Sequence, residues 1–241
     1  MLASYQRGLR HGLPIALGYL SVSFAFGIQA TSLGLSPLQA VMISFFNVTS
    51  AGQLAGLQLM ATGAGLAEMA LTQLTINLRY ALMSLSLSQK LDSGMTLPHR
   101  LLLSFCNTDE VFVVASQQPG KVGRAYLYGL TNGPFLGWVL GTLLGALAGG
   151  VLPAAVTEAL GIAIYGMFIA IILPPFRRSR EVRVVVLVAV AMSCLISLWP
   201  ALSFISDGFR IILCAVAASA LGAWLMPRPF EEEPADEQEA L

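Results

Sequence analysis

Gly12-Leu-Pro-Ile-Ala-Leu-Gly-Tyr-Leu-Ser-Val-Ser-Phe-Ala-Phe-Gly-Ile-Gln-Ala-Thr-Ser-Leu-Gly-Leu-Ser-Pro37 opens a run that continues to Ala67 without one charged side chain. About 20 apolar residues take a helix across a bilayer, so residues 12–67 hold more than one span. Gly34-Leu35-Ser36-Pro37 is a turn signal inside the run. It divides the run into spans at about 13–33 and 37–62. The same reading places further spans at about 66–89, 100–117, 124–149, 155–175, 183–203 and 207–226. The breaks between them fall at Asp92-Ser93-Gly94, Pro119-Gly120-Lys121, Gly149-Gly150, Arg177–Arg183 and Ser206-Asp207-Gly208.

The expected fold is therefore an all-α integral membrane protein of about eight transmembrane helices. Composition agrees. The 241 residues are 56% hydrophobic and only 11% charged, with mean hydropathy +0.75. An average soluble domain carries about 25% charged residues, and 26 charged side chains cannot cover a soluble surface. A cytosolic enzyme and a nucleic-acid-binding module are excluded on that ground.

The zero net charge hides an asymmetry. Six of the 13 acids, Glu231, Glu232, Glu233, Asp236, Glu237 and Glu239, sit in the last 11 residues. With Pro227, Pro229 and Pro234 they make 227–241 a solvated, disordered tail by composition. Residues 1–12 form an N-terminal segment and 13–226 the transmembrane domain. The first apolar segment lacks a small-residue cleavage site and reads as a retained helix. With eight spans and a cytoplasmic N-terminus, nine basic residues lie at inside ends and three, Lys90, Arg100 and Arg210, in outside loops. That balance predicts both termini in the cytoplasm.

Soluble catalytic machinery is absent from the sequence. There is no nucleophile elbow, phosphate-binding glycine loop or Cys/His spacing for a metal, and Cys106, Cys194 and Cys214 all fall in spans. The reading is no enzyme, no metal and no cofactor, so any pumping draws on an ion gradient or a separate motor. A candidate internal repeat links Gly34-x-x-Pro37-x-x-Ala40 with Gly150-x-x-Pro153-x-Ala155.

The informative residues are polar ones inside apolar spans. In the third span Glu68, Thr72, Thr75, Arg79 and Ser86 share one helical face, and Gln73, Asn77, Ser84 and Ser88 another. A helix with two polar faces belongs inside a bundle. A charge at its centre costs about 2.5–3.5 kcal/mol, so Arg79 needs a partner. The fourth span offers two in Asn107-Thr108-Asp109-Glu110. Either acid fits as the partner. The other would face a cavity, where low dielectric favours the neutral carboxyl and suits it to carry a proton; Glu110, on the wetter stripe, is the expected carrier. The second span breaks at Asn47-Val-Thr-Ser-Ala-Gly-Gln53, which fits an unwound segment or close packing through small residues. The fifth breaks at Thr131-Asn132-Gly133-Pro134, read as a kink.

These residues make the chain resemble the AzlC family, the larger subunit of branched-chain amino acid exporters, over most of 7–226. The carriers are Gly8-x-x-x-Gly12-x-Pro14, Ala25-Phe26-Gly27, Gly34-Leu35-Ser36-Pro37, Ala51-Gly52-Gln53, Asn77-Leu78-Arg79-Tyr80 and Thr108-Asp109-Glu110-Val111-Phe112. Tyr80 stands where related sequences often carry His, and Ser50-Ala51-Gly52-Gln53 departs from a Gly-Ala-Ser-Gln-like stretch. The resemblance implies an inner-membrane secondary transporter exporting valine, leucine or isoleucine, with a small AzlD-type membrane partner. Gln53, Asn77, Arg79, Asp109 and Glu110 are the expected binding or coupling residues. Arg79 or a helix N-terminus suits a substrate carboxylate, and either acid suits an ammonium or a proton. Phe24, Phe26, Phe45, Phe46 and Phe112 are candidates for an apolar wall. The competing reading is a structural or assembly subunit without transport of its own.

Overall fold

The structure is a computed structural model that describes residues 2–149, 152, 155, 166, 169, 172–202 and 204–226. Among them every regular element is helical. The chain divides into two compact units, Met1–Ile171 and Ile172–Leu241.

The first unit is built on α1 (Leu2–Ser32) and α7 (Arg124–Ala148). Both are long and apolar enough to cross a membrane. Their contact is a seam of glycines. A Cβ on Gly12 would stand 2.5 Å from the Leu130 carbonyl oxygen, and one on Gly137 would stand 2.5 Å from that of Ala16. Only hydrogen at these positions lets the two backbones approach so closely, and dispersion then replaces a hydrophobic driving force that lipid does not supply. Gly8 meets Tyr126 and Gly27 meets Thr142, so the register advances together and the two helices run parallel. Pro134 sits inside α7, which continues through the expected break at Thr131–Pro134.

Between them the chain departs from a row of through-going spans. The stretch 37–62 is two half-helices, α2 (Pro37–Phe46) and α3 (Ala51–Ala61), and 100–117 is two more, α5 (Leu97–Ser104) and α6 (Asp109–Ser116). At 1.5 Å per residue each is about 12–16 Å long, roughly half of a 30 Å hydrocarbon core. Each pair folds back on itself. Met60 at the end of α3 lines one recess with Leu38 and Met42 of α2, and Leu57 packs on Ala40 and Phe26. In the second pair, Leu103 and Val111 share a core with Leu87 and Leu127. His99 near the start of α5 bonds Tyr128 at 2.9 Å, and Lys90 Nζ donates to the Ser116 carbonyl at the end of α6.

The expected crossings at 37–62 and 100–117 are thus two hairpins that enter from opposite faces. The connecting helix α4 (Leu66–Gln89) passes between them. Its Gln73 and Asn77 meet Gly52 of α3, and its Ser84 meets Asn107 before α6. The polar stripe of Gln73, Asn77 and Ser84 read from the sequence therefore touches both hairpins.

This geometry corrects one assignment. Lys90 and Arg100, expected in outside loops, lie on the face that carries Lys121 and Arg124. Lys121 Nζ donates to the Gln89 carbonyl at 2.8 Å, Val122 N donates to the Lys90 carbonyl at 2.8 Å, and Arg124 bonds His99. Arg7, Lys121 and Arg124 surround one recess there. The physical reason is that a hairpin returns the chain to the face it came from, so α4 starts from the opposite side.

Within the first unit, α1 and α4 run in opposite directions and each is followed by a hairpin of half-helices. The opening at Gly150–Ala155 lies outside the described residues, apart from Leu152 and Ala155. In the second unit, α8 (Arg180–Leu198) and α9 (Asp207–Leu225) form a helical hairpin closed at Gly222 against Val185, with Arg210 bonding Ser197 at 2.9 Å. Both helices are of spanning length and apolarity. The expected tail at 227–241 lies outside the described residues.

Candidate functional site

The tips of the two hairpins meet the middles of α1, α4 and α7. The first tip, Asn47–Ser50, contains the one non-glycine residue among those described with positive φ, Ser50 at 49°. An L residue held there is strained backbone of the kind that concentrates at working sites. The second tip, Phe105–Thr108, ends with Thr108 extended as the N-cap of α6. Asp109 and Glu110 are thus in the first turn of a half-helix, where the positive end of its dipole favours carboxylates. The sequence reading placed them inside one continuous helix; the break moves them to its start.

Arg79 forms an ion pair with Asp109. Its guanidinium also lies 4.7 Å over the ring of Tyr80 and bonds the Tyr80 hydroxyl at 3.1 Å. Tyr80 reaches on to the Thr49 carbonyl at 3.4 Å, tying this pair to the first tip. The two charged side chains keep 43% and 39% of their surface open within the first unit. Glu110 points the other way. Its Oε2 is 2.5 Å from the Tyr19 hydroxyl, which is also 2.6 Å from Thr108 Oγ1. A phenol has one proton, so it donates to the carboxylate while the threonine hydroxyl donates to it.

Tyr19 packs edge-on against Trp138, with ring centroids 5.2 Å apart. From there a buried chain runs to the first hairpin. Trp138 Nε1 donates to Gln53 Oε1 at 3.0 Å, Gln53 Nε2 donates to Ser44 Oγ at 2.5 Å, and Ser44 and Thr142 share a hydrogen bond of 2.6 Å. Gln53 is therefore bonded in the core through both ends of its amide and holds the first hairpin against α7. Asn77 donates to Gln73 at 3.0 Å beside Gly52, with its own oxygen buried and unbonded.

Of the five expected residues, Arg79, Asp109 and Glu110 come together at the second tip, while Gln53 and Asn77 support the first. Of the expected apolar wall, Phe26 is sealed in the core, while Phe45 and Phe46 lie exposed; Phe45 meets Phe135 edge-on, and Phe135 also meets Phe105. Sequence reasoning missed Tyr19, Trp138 and Thr108. A signal was present. Ser44-Phe45-x-Asn47 and Ser104-Phe105-x-Asn107 are the same pattern 60 residues apart, and Ser36 and Thr96, which cap α2 and α5, keep that spacing. The motif marks the two tips.

Oppositely directed hairpins of half-helices around an ion pair define a class: an all-α membrane protein with discontinuous helices. Residues 14–152 match the family model described as AzlC protein. The chain is 32% identical over 186 residues to "Inner membrane protein YgaZ" of Escherichia coli (strain K12), covering 74% of this chain and 76% of that protein. It is also 32% identical over 224 residues to "Uncharacterized membrane protein" of Archaeoglobus fulgidus, covering 92% and 95%. No solved structure gives a significant match. The chain belongs to the AzlC family.

Proposed function

We propose that the chain is a secondary active transporter that exports valine, leucine and isoleucine across the inner membrane, coupled to protons. Both termini lie in the cytoplasm, and a small AzlD-type membrane subunit is its partner. The observation that carries this reading is the meeting of two inverted, discontinuous hairpins around Arg79–Asp109 and Glu110–Tyr19. Paired broken helices in inverted repeats hold substrate and coupling ions in transporters, because exposed helix ends supply partial charge at mid-depth.

The division of labour between the two acids supports coupling. Asp109 is neutralised by Arg79. Glu110 faces a hydroxyl, a neutral partner that tolerates both the charged and the protonated carboxyl. That is what a proton carrier needs, and it supports Glu110 as the carrier. The basic face, with Arg7, Lys90, Arg100, Lys121 and Arg124, is cytoplasmic by the positive-inside rule. A scaffold subunit would have no use for acid and base at one depth.

Counterflow of labelled valine in proteoliposomes tests the reading. Accumulation of label above equilibrium in vesicles preloaded with unlabelled valine is the expected result. No accumulation, with the protein folded and inserted, refutes it.

A further inference from the structure

Two polar contacts hold the first turn of α5 against α7. His99 Nδ1 lies 2.9 Å from the Tyr128 hydroxyl, and Arg124 Nη1 lies 3.2 Å from His99 Nε2. α7 is the main helix on which α5 packs. The aliphatic seal between them, where Leu103 and Leu127 share a core, comes at the other end of α5. At this end Leu97 and Leu101 are exposed.

The second contact fixes where the imidazole proton sits. A guanidinium carries donors and no acceptor, so Nε2 presents a lone pair. The single proton of a neutral imidazole is then on Nδ1 and is donated to Tyr128. His99 therefore meets Arg124 only as the neutral ring. A proton on Nε2 sets two cations face to face with no lone pair between them, and the contact is lost. Imidazole is the side chain that ordinarily exchanges a proton between about pH 5 and 8.

Arg124 has a second acceptor within reach. It is the first residue of α7, where the positive end of the helix dipole disfavours a cation. Among the described residues no carboxylate is paired with it. Asp92 lies beside it: a Cβ on Gly123 would stand 2.7 Å from Asp92 Oδ2, and Asp92 Oδ1 is buried without a hydrogen-bond partner. Asp92 and Arg124 line one recess, whose other charges are Lys121 and Arg7. Lys121 is bonded to the Gln89 carbonyl at 2.8 Å, and the Arg7 guanidinium lies 5.4 Å over the ring of Tyr126. Arg100, next to His99 on α5, is turned to the Met95 carbonyl at 3.1 Å.

We infer that His99, Arg124 and Asp92 form an acid-sensitive latch on the second hairpin. Neutral His99 holds Arg124 and keeps the first turn of α5 on α7. When Nε2 takes a proton from water at the basic face, the Arg124 guanidinium is expelled and pairs with Asp92. The first turn of α5 then moves off α7. The latch uses none of Gln53, Asn77, Arg79, Asp109 or Glu110 and does not depend on what the chain transports.

The test is the distance between nitroxide labels at Leu97 on α5 and Leu136 on α7, both exposed. It is measured by pulsed electron paramagnetic resonance on the full-length chain in lipid nanodiscs, with Cys106, Cys194 and Cys214 replaced. The labelled chain should show one distance at about pH 8 and a second, longer one at about pH 5. His99→Gln, whose amide accepts from Arg124 and donates to Tyr128 at either pH, should keep the single shorter distance at both. Arg124→Gln leaves no cation to expel and should also lose the acid response. Asp92→Asn should move the appearance of the longer distance to more acid pH. Identical distances at both pH values in the otherwise unchanged chain overturn the latch, and so does an acid response that survives in His99→Gln. Either result leaves the transport reading to its own counterflow assay.

Discussion

Removing Arg79 and Asp109 singly and together measures what the ion pair contributes. A charge at the centre of a membrane helix costs about 2.5–3.5 kcal/mol when unpaired. Both side chains keep about two-fifths of their surface open within the first unit, so water or neighbouring groups offset part of that cost. The expected loss for Arg79→Gln or Asp109→Asn is then about 1.5–2 kcal/mol, below the 3–5 kcal/mol typical of a sealed pair. Arg79→Gln also loses the stacking over Tyr80, which adds about 0.5–1 kcal/mol. In a protein of this size 1 kcal/mol shifts Tm by about 2–4 °C, so Asp109→Asn should lower Tm by about 3–8 °C and Arg79→Gln by about 4–12 °C. The assay is thermal unfolding in nanodiscs, followed by tryptophan fluorescence. The double variant leaves no charge to compensate and should be no worse than Arg79→Gln alone. A double variant whose loss equals the sum of the two singles, within about 0.5 kcal/mol, would show that the two side chains do not interact and would refute the pairing.

Glu110→Gln should abolish valine uptake driven by a pH gradient while exchange of valine for valine survives; gradient-driven uptake at the wild-type rate would remove Glu110 as the carrier. Tyr19→Phe, which deletes the hydroxyl at 2.5 Å from Glu110, should slow gradient-driven uptake about tenfold or more with little change in exchange, and equal effects on both would assign Tyr19 to packing alone. Gly137→Leu should prevent accumulation of folded protein, because its side chain would meet the Ala16 backbone, whereas Gly18→Ala, with nothing within 4 Å, should be silent. In a cysteine-free background, a cysteine at Gly63 should label in intact cells with a membrane-impermeant thiol reagent, and one at Ser93 should label only after permeabilisation. The reverse pattern would restore 37–62 as a through-going span.

Composition and charge placement alone determined the class of this protein and much of its chemistry. Twenty-six charged residues in 241 leave no way to build a soluble surface, and only helices satisfy a backbone in lipid when strands are not called for. Arg79, Asp109 and Glu110 were legible because charge at that depth is costly and demands a partner. The polar interruption at Asn47–Gln53 was legible as a break in hydrophobicity, though not as a strained turn.

Only the tertiary structure decided the direction in which the chain leaves each break. Hydropathy reports how deep a residue sits. It does not report whether the next residue continues across or turns back, so a 26-residue apolar stretch fits one span or two half-helices equally well. The choice comes from packing. Leu57 finds Ala40 and Phe26, Gln53 finds Ser44 and Trp138, and Val111 joins Leu87 and Leu127 only when both hairpins fold back. The same choice separates the two acids. Adjacent in sequence and alike in chemistry, Asp109 and Glu110 differ because α4 presents Arg79 to one while α1 presents Tyr19 to the other. Those partners lie 30 and 91 residues away, and local sequence has no means of naming them.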